Sequence, residues 1–252
     1  MNKITYLDGA RWHRALVAGA SNVLSRQEYL NKINVFPVPD GDTGTNMAFT
    51  LTSILDSTEQ KIHPRSDEML ALIADAALDG ARGNSGVILA QFFQGLSDGA
   101  AGVEKMTPEN FAKAVQFGAE YARQALAEPI EGTILTVLTD FSNHLIKLIE
   151  SPNCDFEHLL EMGINEAEKS LENTPNLLAV LKKAGVVDAG AQGFVDLLNG
   201  IFSFVRDGDL HGFKTNLEKK ETTLDLKNSE GDFENSAFRY WTECLINGKT
   251  ID

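Results

Sequence analysis

The sequence is organised around the stretch Asn34 to Met47, which reads Asn-Val-Phe-Pro-Val-Pro-Asp-Gly-Asp-Thr-Gly-Thr-Asn-Met. Pro37 and Pro39 exclude a helix interior here, because proline lacks a backbone N–H and biases the preceding residue towards extended backbone. A helix should begin near Thr43 to Asn46, so its free N–H groups and the positive end of its dipole would face the turn. The stretch therefore predicts a tight polar turn that opens a helix.

Two carboxylates stand in this turn, Asp40 and Asp42, with one glycine between them. Carboxylates that close repel each other unless a positive charge lies between them. Mg²⁺ takes oxygen ligands and commonly shares itself with substrate phosphates, so the turn predicts a metal–phosphate site. The alternative is an ordinary surface turn, which Asp, Gly and Pro commonly form. The pattern is neither an EF-hand loop, since no Glu stands at the twelfth position, nor a Walker A loop, since Gly-Lys-Ser/Thr is missing.

The composition excludes several classes of protein. The chain has 252 residues and a formal net charge of −14, which argues against a general nucleic-acid or anionic-membrane surface. Two cysteines make no disulfide framework and fit a reducing compartment. No run of about 18 apolar residues appears, and the N-terminus lacks a hydrophobic signal core. We expect a cytoplasmic protein with no integral membrane segment and no nucleic-acid partner.

Two further glycine-rich polar turns precede apolar helical sequence. Gly83 to Gly86 resembles an anion-accepting helix start, with Arg82 as a candidate phosphate partner. The alternative is an ordinary corner between helices, with Ser85 as the N-cap. The other turn spans Gly185 to Gly193; its glycines do not follow a convincing strand, so it is not a dinucleotide-binding fingerprint.

Helical spacing of apolar residues predicts an all-α fold, a bundle or barrel of about eight antiparallel amphipathic helices with the polar turns at one end. Ser66 and Thr107 are the expected N-caps of two helices. One helix should span Asp155 to Leu171. A separate one should begin at Thr174 and end with Gly185 as its C-cap.

The composition changes towards the C-terminus. Residues 1–212 form the predicted helical domain, and 213–237 is charged and polar, as in a linker. Residues 238–252 contain an apolar, strand-like run that needs partners to pair with, so we expect the truncated start of a second domain.

Together the turns resemble the nucleotide-binding domain of the dihydroxyacetone kinase superfamily, and more closely the N-terminal DhaL/Dak2-like kinase domain of bacterial fatty-acid kinases. Besides the first turn, the resemblance rests on Ala81-Arg-Gly-Asn-Ser-Gly-Val-Ile-Leu89, Glu131-Gly-Thr-Ile-Leu135 and Gly185-Val-Val-Asp-Ala-Gly-Ala-Gln-Gly193. It implies a barrel of eight antiparallel helices with ATP and two Mg²⁺ ions at one rim.

The resemblance also implies roles for individual residues. Asp40 and Asp42 would be the catalytic, metal-holding carboxylates. Asn34 is the nearest polar counterpart of a third metal-binding aspartate. The residues that would line ATP are Thr43, Gly44, Thr45, Asn46, Asn84, Ser85, Thr133, Ile134, Asp188, Ala189 and Gly190.

In fatty-acid kinases the acceptor is a fatty-acid carboxylate presented by a separate DegV-like binding protein, and the product is an acyl phosphate. Further domains help to engage that partner and hold a homodimer together, and Tyr240-Trp-Thr-Glu243 resembles the start of the middle domain. Two alternatives remain open at this point. One is a dihydroxyacetone-kinase-type ATP subunit that acts on a small ketone. The other is a non-catalytic helical module that binds lipid or serves as a scaffold.

Overall fold

Amphipathic sequence folds into ten α-helices in the computed structural model, which describes residues 4–150 and 154–207. The predicted all-α fold class is confirmed. The predicted linker at 213–237 and the second domain at 238–252 lie outside the described residues. The helices are α1 (Gly9–Ser25), α2 (Gln27–Lys32), α3 (Thr43–Gln60), α4 (Ser66–Gly80), α5 (Gly83–Gly99), α6 (Pro108–Gln124), α7 (Ile134–Leu148), α8 (Phe156–Leu177), α9 (Ala179–Ala184) and α10 (Ala189–Asp207).

Eight of these helices are long, with 15 to 22 residues, whereas α2 and α9 have six residues each. The long helices pack in chain order, and α10 closes the ring against α1. These two helices run antiparallel, because Asn22 bonds to Asp196 while Ala18, one turn earlier on α1, meets Gly200, one turn later on α10. The prediction of about eight antiparallel helices is confirmed.

Helices α3 and α5 run parallel and begin side by side. A Cβ placed on Gly83 would lie 2.3 Å from Nδ2 of Asn46. One turn further along both helices, a Cβ on Gly86 would lie 2.8 Å from Oγ1 of Thr50. The first and second polar turns therefore share one rim of the ring.

Helices α7 and α10 begin at the same rim. Ile134 at the start of α7 donates its N–H to the carboxylate of Asp188, just before α10. The next turn of α10 packs on α3, where a Cβ on Gly193 would lie 2.4 Å from the sulfur of Met47. The predicted gathering of the polar turns at one end is thereby confirmed.

Phenylalanine side chains pack against one another inside the ring of helices. Phe194 of α10 packs edge-on against Phe92 of α5 at 5.5 Å and against Phe141 of α7 at 5.7 Å between ring centroids. Edge-to-face pairs at this separation add to the stabilisation that burial supplies. These contacts thus hold together α5, α7 and α10, which all begin at the polar rim.

The predicted break between two helices at Thr174 is wrong. Helix α8 continues through Pro175 to Leu177, and a separate short helix, α9, follows. Proline cannot bond to the carbonyl four residues earlier, that of Leu171. The hydroxyl of Thr174 donates to this carbonyl at 2.7 Å instead, so the helix continues.

The N-cap predictions have mixed outcomes. Thr107 caps α6 with Pro108 at its first position, and Gly185 ends α9 in a left-handed conformation, φ 68°; both are confirmed. The prediction for Ser66 is wrong, because it is the first helical residue and its buried hydroxyl donates to the carbonyl of Leu7. Among the described residues, no helix is both long enough and apolar enough to span a bilayer.

Candidate functional site

Asn34 is the centre of the first turn. Its side-chain oxygen accepts the backbone N–H groups of Asp42, at 3.1 Å, and Thr43, at 3.3 Å. Its side-chain nitrogen donates to the carbonyl oxygens of Phe36, at 3.3 Å, and Val38, at 3.2 Å. The turn is therefore wrapped around one buried amide, which holds the backbone on both sides of Asp40.

Asp40 and Asp42 are held next to each other on the outside of this turn. The pKa of Asp40 is raised by partial burial and then by the negative charge of Asp42, whose side chain also hydrogen-bonds to it. A carboxylate pair with this repulsion and with oxygen donors only fits a hard divalent cation such as Mg²⁺. Within the described ranges, three or more His, Cys, Asp or Glu side chains nowhere form a metal-binding group. Water and phosphate oxygens would have to complete the coordination.

Helix α2 holds the start of α3 from the side. The side chain of Asn31 accepts the N–H of Thr45 at 3.0 Å and donates to its hydroxyl at 3.0 Å, and Gln27 donates to the same hydroxyl at 3.2 Å. Gly44 allows this approach, since a Cβ there would lie 2.2 Å from the carbonyl oxygen of Gln27. The N–H groups of Thr43 and Thr45, which we expected to face phosphate, are thus occupied by asparagine side chains in this conformation.

The start of α5 has no side-chain cap from its N-cap residue. Helix α5 begins at Gly83, two residues before Ser85, which was the alternative N-cap. The N-cap residue is Arg82, and its side chain makes no capping hydrogen bond. The guanidinium of Arg82 instead donates to the carbonyl oxygen of Ala81 at 2.7 Å. The exposed residues Gly83 and Asn84 leave this helix start open to solvent, so its N–H groups suit an anion.

Asp188 joins the starts of α7 and α10. One oxygen of this buried carboxylate accepts the N–H of Ile134 at 3.0 Å and that of Ala191 at 2.8 Å. Burial raises the pKa of Asp188 to about 6, although the N–H groups of Ala191, Ile134 and Gly190 oppose the shift. Through these hydrogen bonds the buried carboxylate of Asp188 connects the starts of α7 and α10.

Thr133 and Thr174 complete this second cluster. Thr133 caps α7 by accepting the N–H of Leu135, and its hydroxyl donates to the carbonyl of Ile130. The hydroxyl of Thr174 donates to the carbonyl of Leu171 in α8 and also accepts the N–H of Asp188 at 3.1 Å. The polar side chains of this second cluster therefore hydrogen-bond to groups of the protein itself.

The expected site residues form two groups on one rim. The first combines the Asp40 and Asp42 turn, the start of α3 and the start of α5, where Asn46 meets Gly83; its other members are Asn34, Thr43, Gly44, Thr45, Asn84 and Ser85. The second, internally bonded group contains Thr133, Ile134, Asp188, Ala189 and Gly190. Packing of α10 on α3 connects the groups. Sequence reasoning missed Gln27, Asn31 and Thr174, because polar residues within helical sequence carry no local signal for a tertiary hydrogen bond.

Comparison with proteins of known structure supports the fold. The dihydroxyacetone kinase from C. freundii, solved in complex with AMP-PNP and Mg²⁺, matches 80% of this chain with a TM-score of 0.59 and 19% identity, over 35% of its own length. The native form of the same kinase matches 81% of the chain with a TM-score of 0.57.

Sequence comparison identifies the family. Uncharacterized proteins of Staphylococcus saprophyticus and Staphylococcus haemolyticus are each 36% identical to this sequence, over 99% and 96% of the chain. The chain spans 46% and 44% of their lengths, which is about half. The DAK2 domain model matches residues 37–203, a range that includes the Asp40 turn and the starts of α3, α5, α7 and α10. The chain therefore belongs to the DAK2 domain family.

Proposed function

We propose that this chain is the ATP-binding domain of a fatty-acid kinase, which transfers the γ-phosphoryl group of Mg-ATP to a fatty-acid carboxylate. The proposal rests on one observation: the helix that follows the repelling carboxylates Asp40 and Asp42 begins beside the start of α5, where Asn46 meets Gly83 and Arg82 makes no side-chain cap. The carboxylate pair favours a bound cation, and the helix start accepts an anion. A metal-bound polyphosphate supplies both.

The chain's own residues would act by holding and orienting the nucleotide. Asp40 and Asp42 would hold Mg²⁺, which would neutralise the charge that develops during phosphoryl transfer. The N–H groups at the start of α5 bind phosphate oxygens. Asn46, which contacts Gly83, sets the distance between this helix start and the carboxylate turn. Such positioning is most of what a protein contributes to phosphoryl transfer.

The acceptor chemistry fits this set of groups. A fatty-acid carboxylate is already ionised at neutral pH, so one of its oxygens attacks the γ-phosphorus without losing a proton. The bond from the γ-phosphorus to the bridging oxygen breaks, and ADP leaves with that electron pair. The products are an acyl phosphate and ADP, and no general base is needed.

The remaining parts of the proposal come from the family resemblance. They are a DegV-like protein that presents the fatty acid, two Mg²⁺ ions per site, Asn34 near the metal, the second group of rim residues beside the nucleoside, a cytoplasmic location and a homodimer of a longer chain. The helical domain of residues 1–212, the linker and the second domain belong to the same proposal.

A second candidate is a dihydroxyacetone-kinase-type ATP subunit, which the likeness in fold to the C. freundii enzyme favours. Its acceptor would be a hydroxyl group, which must give up a proton during transfer. The two candidates share the nucleotide site and differ in the acceptor and its carrier.

Calorimetric titration of the chain with ATP tests the proposed site. We expect binding in the presence of Mg²⁺ and at least a tenfold loss of affinity in excess EDTA. No binding by this chain and by the full-length protein would reject the nucleotide site and leave the scaffold alternative. Equal affinity under both conditions would keep a nucleotide site but reject the metal role of Asp40 and Asp42.

ATP consumption then separates the two acceptors. The full-length protein is supplied either with a fatty-acid-loaded DegV-like protein or with dihydroxyacetone on its carrier subunit. We expect ADP release only with the fatty acid. Release only with dihydroxyacetone would select the second candidate.

Gly83→Ala is expected to weaken Mg-ATP binding about tenfold. Gly83 has φ 56°, where an L side chain costs about 1–2 kcal/mol, and its Cβ would displace the amide of Asn46. The matched control is Gly185→Ala, which has a similar φ of 68° but no heavy atom within 4 Å of the new Cβ. Titration calorimetry should show near-normal affinity for the control. Equal losses in both variants would mean that backbone strain, not the contact with Asn46, causes the effect.

A further inference from the structure

The amide of Asn34 uses its full hydrogen-bonding capacity within the metal turn. It has two donor hydrogens and two acceptor lone pairs, and the structure gives it two acceptors and two donors. All four partners are backbone groups, so their polarity is fixed and only one orientation of the amide satisfies them. The residue is only 5% exposed, so it is almost completely shielded from solvent.

This arrangement argues against a direct bond from Asn34 to a metal ion. Both lone pairs of its oxygen are directed at the N–H groups of Asp42 and Thr43. A metal bond would require at least one of these hydrogen bonds to break at the start of α3. Buried N–H groups left without partners cost about 1–3 kcal/mol each.

We infer that Asn34 is a positioning residue: its amide, rather than a metal–oxygen bond, sets the distance and direction of Asp40 and Asp42. The inference rests on the proposed Mg-ATP site and deepens it. The carbonyls of Phe36 and Val38 fix the turn before Asp40, and the N–H of Asp42 fixes the turn after it. One rigid side chain thus spans the segment that carries both carboxylates.

Asn34→Asp separates this role from metal ligation, because the two roles predict opposite results. As a ligand, an added carboxylate would tighten Mg²⁺ binding through its charge. As a positioning residue, it cannot donate to Phe36 and Val38, and its charge faces two carbonyl oxygens. The turn should then open and Mg²⁺ affinity should fall.

The test is a Mg²⁺ titration of the chain in the presence of a non-hydrolysable ATP analogue. We expect the apparent Kd for Mg²⁺ to rise at least tenfold in Asn34→Asp, with a native helical CD spectrum. The control is Asn143→Asp, which makes the same charge change on an exposed part of α7 and should leave the Kd within about twofold. An unchanged or lower Kd in Asn34→Asp would overturn the inference.

Hydrogen exchange on the unmodified chain gives a second test that does not depend on a variant folding. The amides of Asp42 and Thr43 should stay protected when Mg²⁺ and the ATP analogue are added, because Asn34 keeps accepting them. Faster exchange of either amide on Mg²⁺ binding would show that the oxygen of Asn34 has turned to the metal. If neither this chain nor the full-length protein binds a Mg-nucleotide, the proposed function fails instead.

Discussion

Asp42→Asn is expected to reduce Mg²⁺-dependent ATP affinity by about a hundredfold or more. Loss of a group that only supports a metal ligand typically costs 10- to 100-fold in metal affinity, so loss of a charged ligand should reach at least the upper value. The substitution keeps the size of the side chain and the backbone N–H that bonds to Asn34. Asp42 is the N-cap of α3 but makes no side-chain capping bond, so the helix should remain intact.

The same substitution should change Asp40 in the absence of any ligand. The negative charge and the hydrogen bond of Asp42 both raise the pKa of Asp40. Asp42→Asn should therefore lower the pKa of Asp40, which NMR titration of its carboxyl carbon would measure. This readout reports the geometry of the pair independently of nucleotide binding.

Asp56→Asn is the matched control for charge. Asp56 is exposed on α3, fourteen residues further along the same helix, so it lies about 20 Å from Asp42. Calorimetry should give a normal Kd for Mg-ATP with this variant. A normal Kd for Asp42→Asn as well would refute the assignment of the carboxylate pair to the metal.

The sequence was sufficient for the architecture because the relevant signals are local. Apolar spacing marks the long helices, and the Pro-rich turn before Thr43 marks the start of α3 where the structure has it. The break predicted at Thr174, before Pro175, failed for a specific reason. The missing hydrogen bond is supplied by the neighbouring Thr174 hydroxyl, and whether a threonine makes that bond is decided by its rotamer, not by its position in the sequence.

The sequence indicated the candidate site residues by type but could not assign their roles. An asparagine beside two aspartates is equally suited to bind a cation or to wrap a turn, and only the four backbone partners of Asn34 distinguish the roles. The two glycine-rich helix starts also looked alike in sequence. In the structure, Asn31 of α2 and Asn34, just after α2, accept N–H groups of α3, whereas the start of α5 lacks a side-chain cap from Arg82. This difference arises from tertiary packing.

Asp188 provides a prediction for the unliganded protein: its carboxyl contributes stability that is lost as pH rises from about 4 to about 6. Burial raises the pKa of this carboxyl from 3.8 to about 6, so in this range the folded protein binds the proton more tightly than the unfolded chain does. The proton therefore stabilises the fold below pH 4, and this stabilisation is lost as pH passes 6. The shift corresponds to about 3 kcal/mol.

Asp188→Asn should remove this contribution to the pH dependence, so that the variant loses about 3 kcal/mol less than the wild type between pH 4 and pH 6.5. An asparagine oxygen can still accept the N–H groups of Ile134 and Ala191, which both bond to a single carboxylate oxygen. Chemical denaturation at pH 4 and pH 6.5 would give the free energy of unfolding of the wild type and the variant. The control is Asp75→Asn on the exposed face of α4, which should follow the wild type. If Asp188→Asn also follows the wild type, the three N–H groups outweigh burial, and Asp188 is ionised in the fold throughout this range.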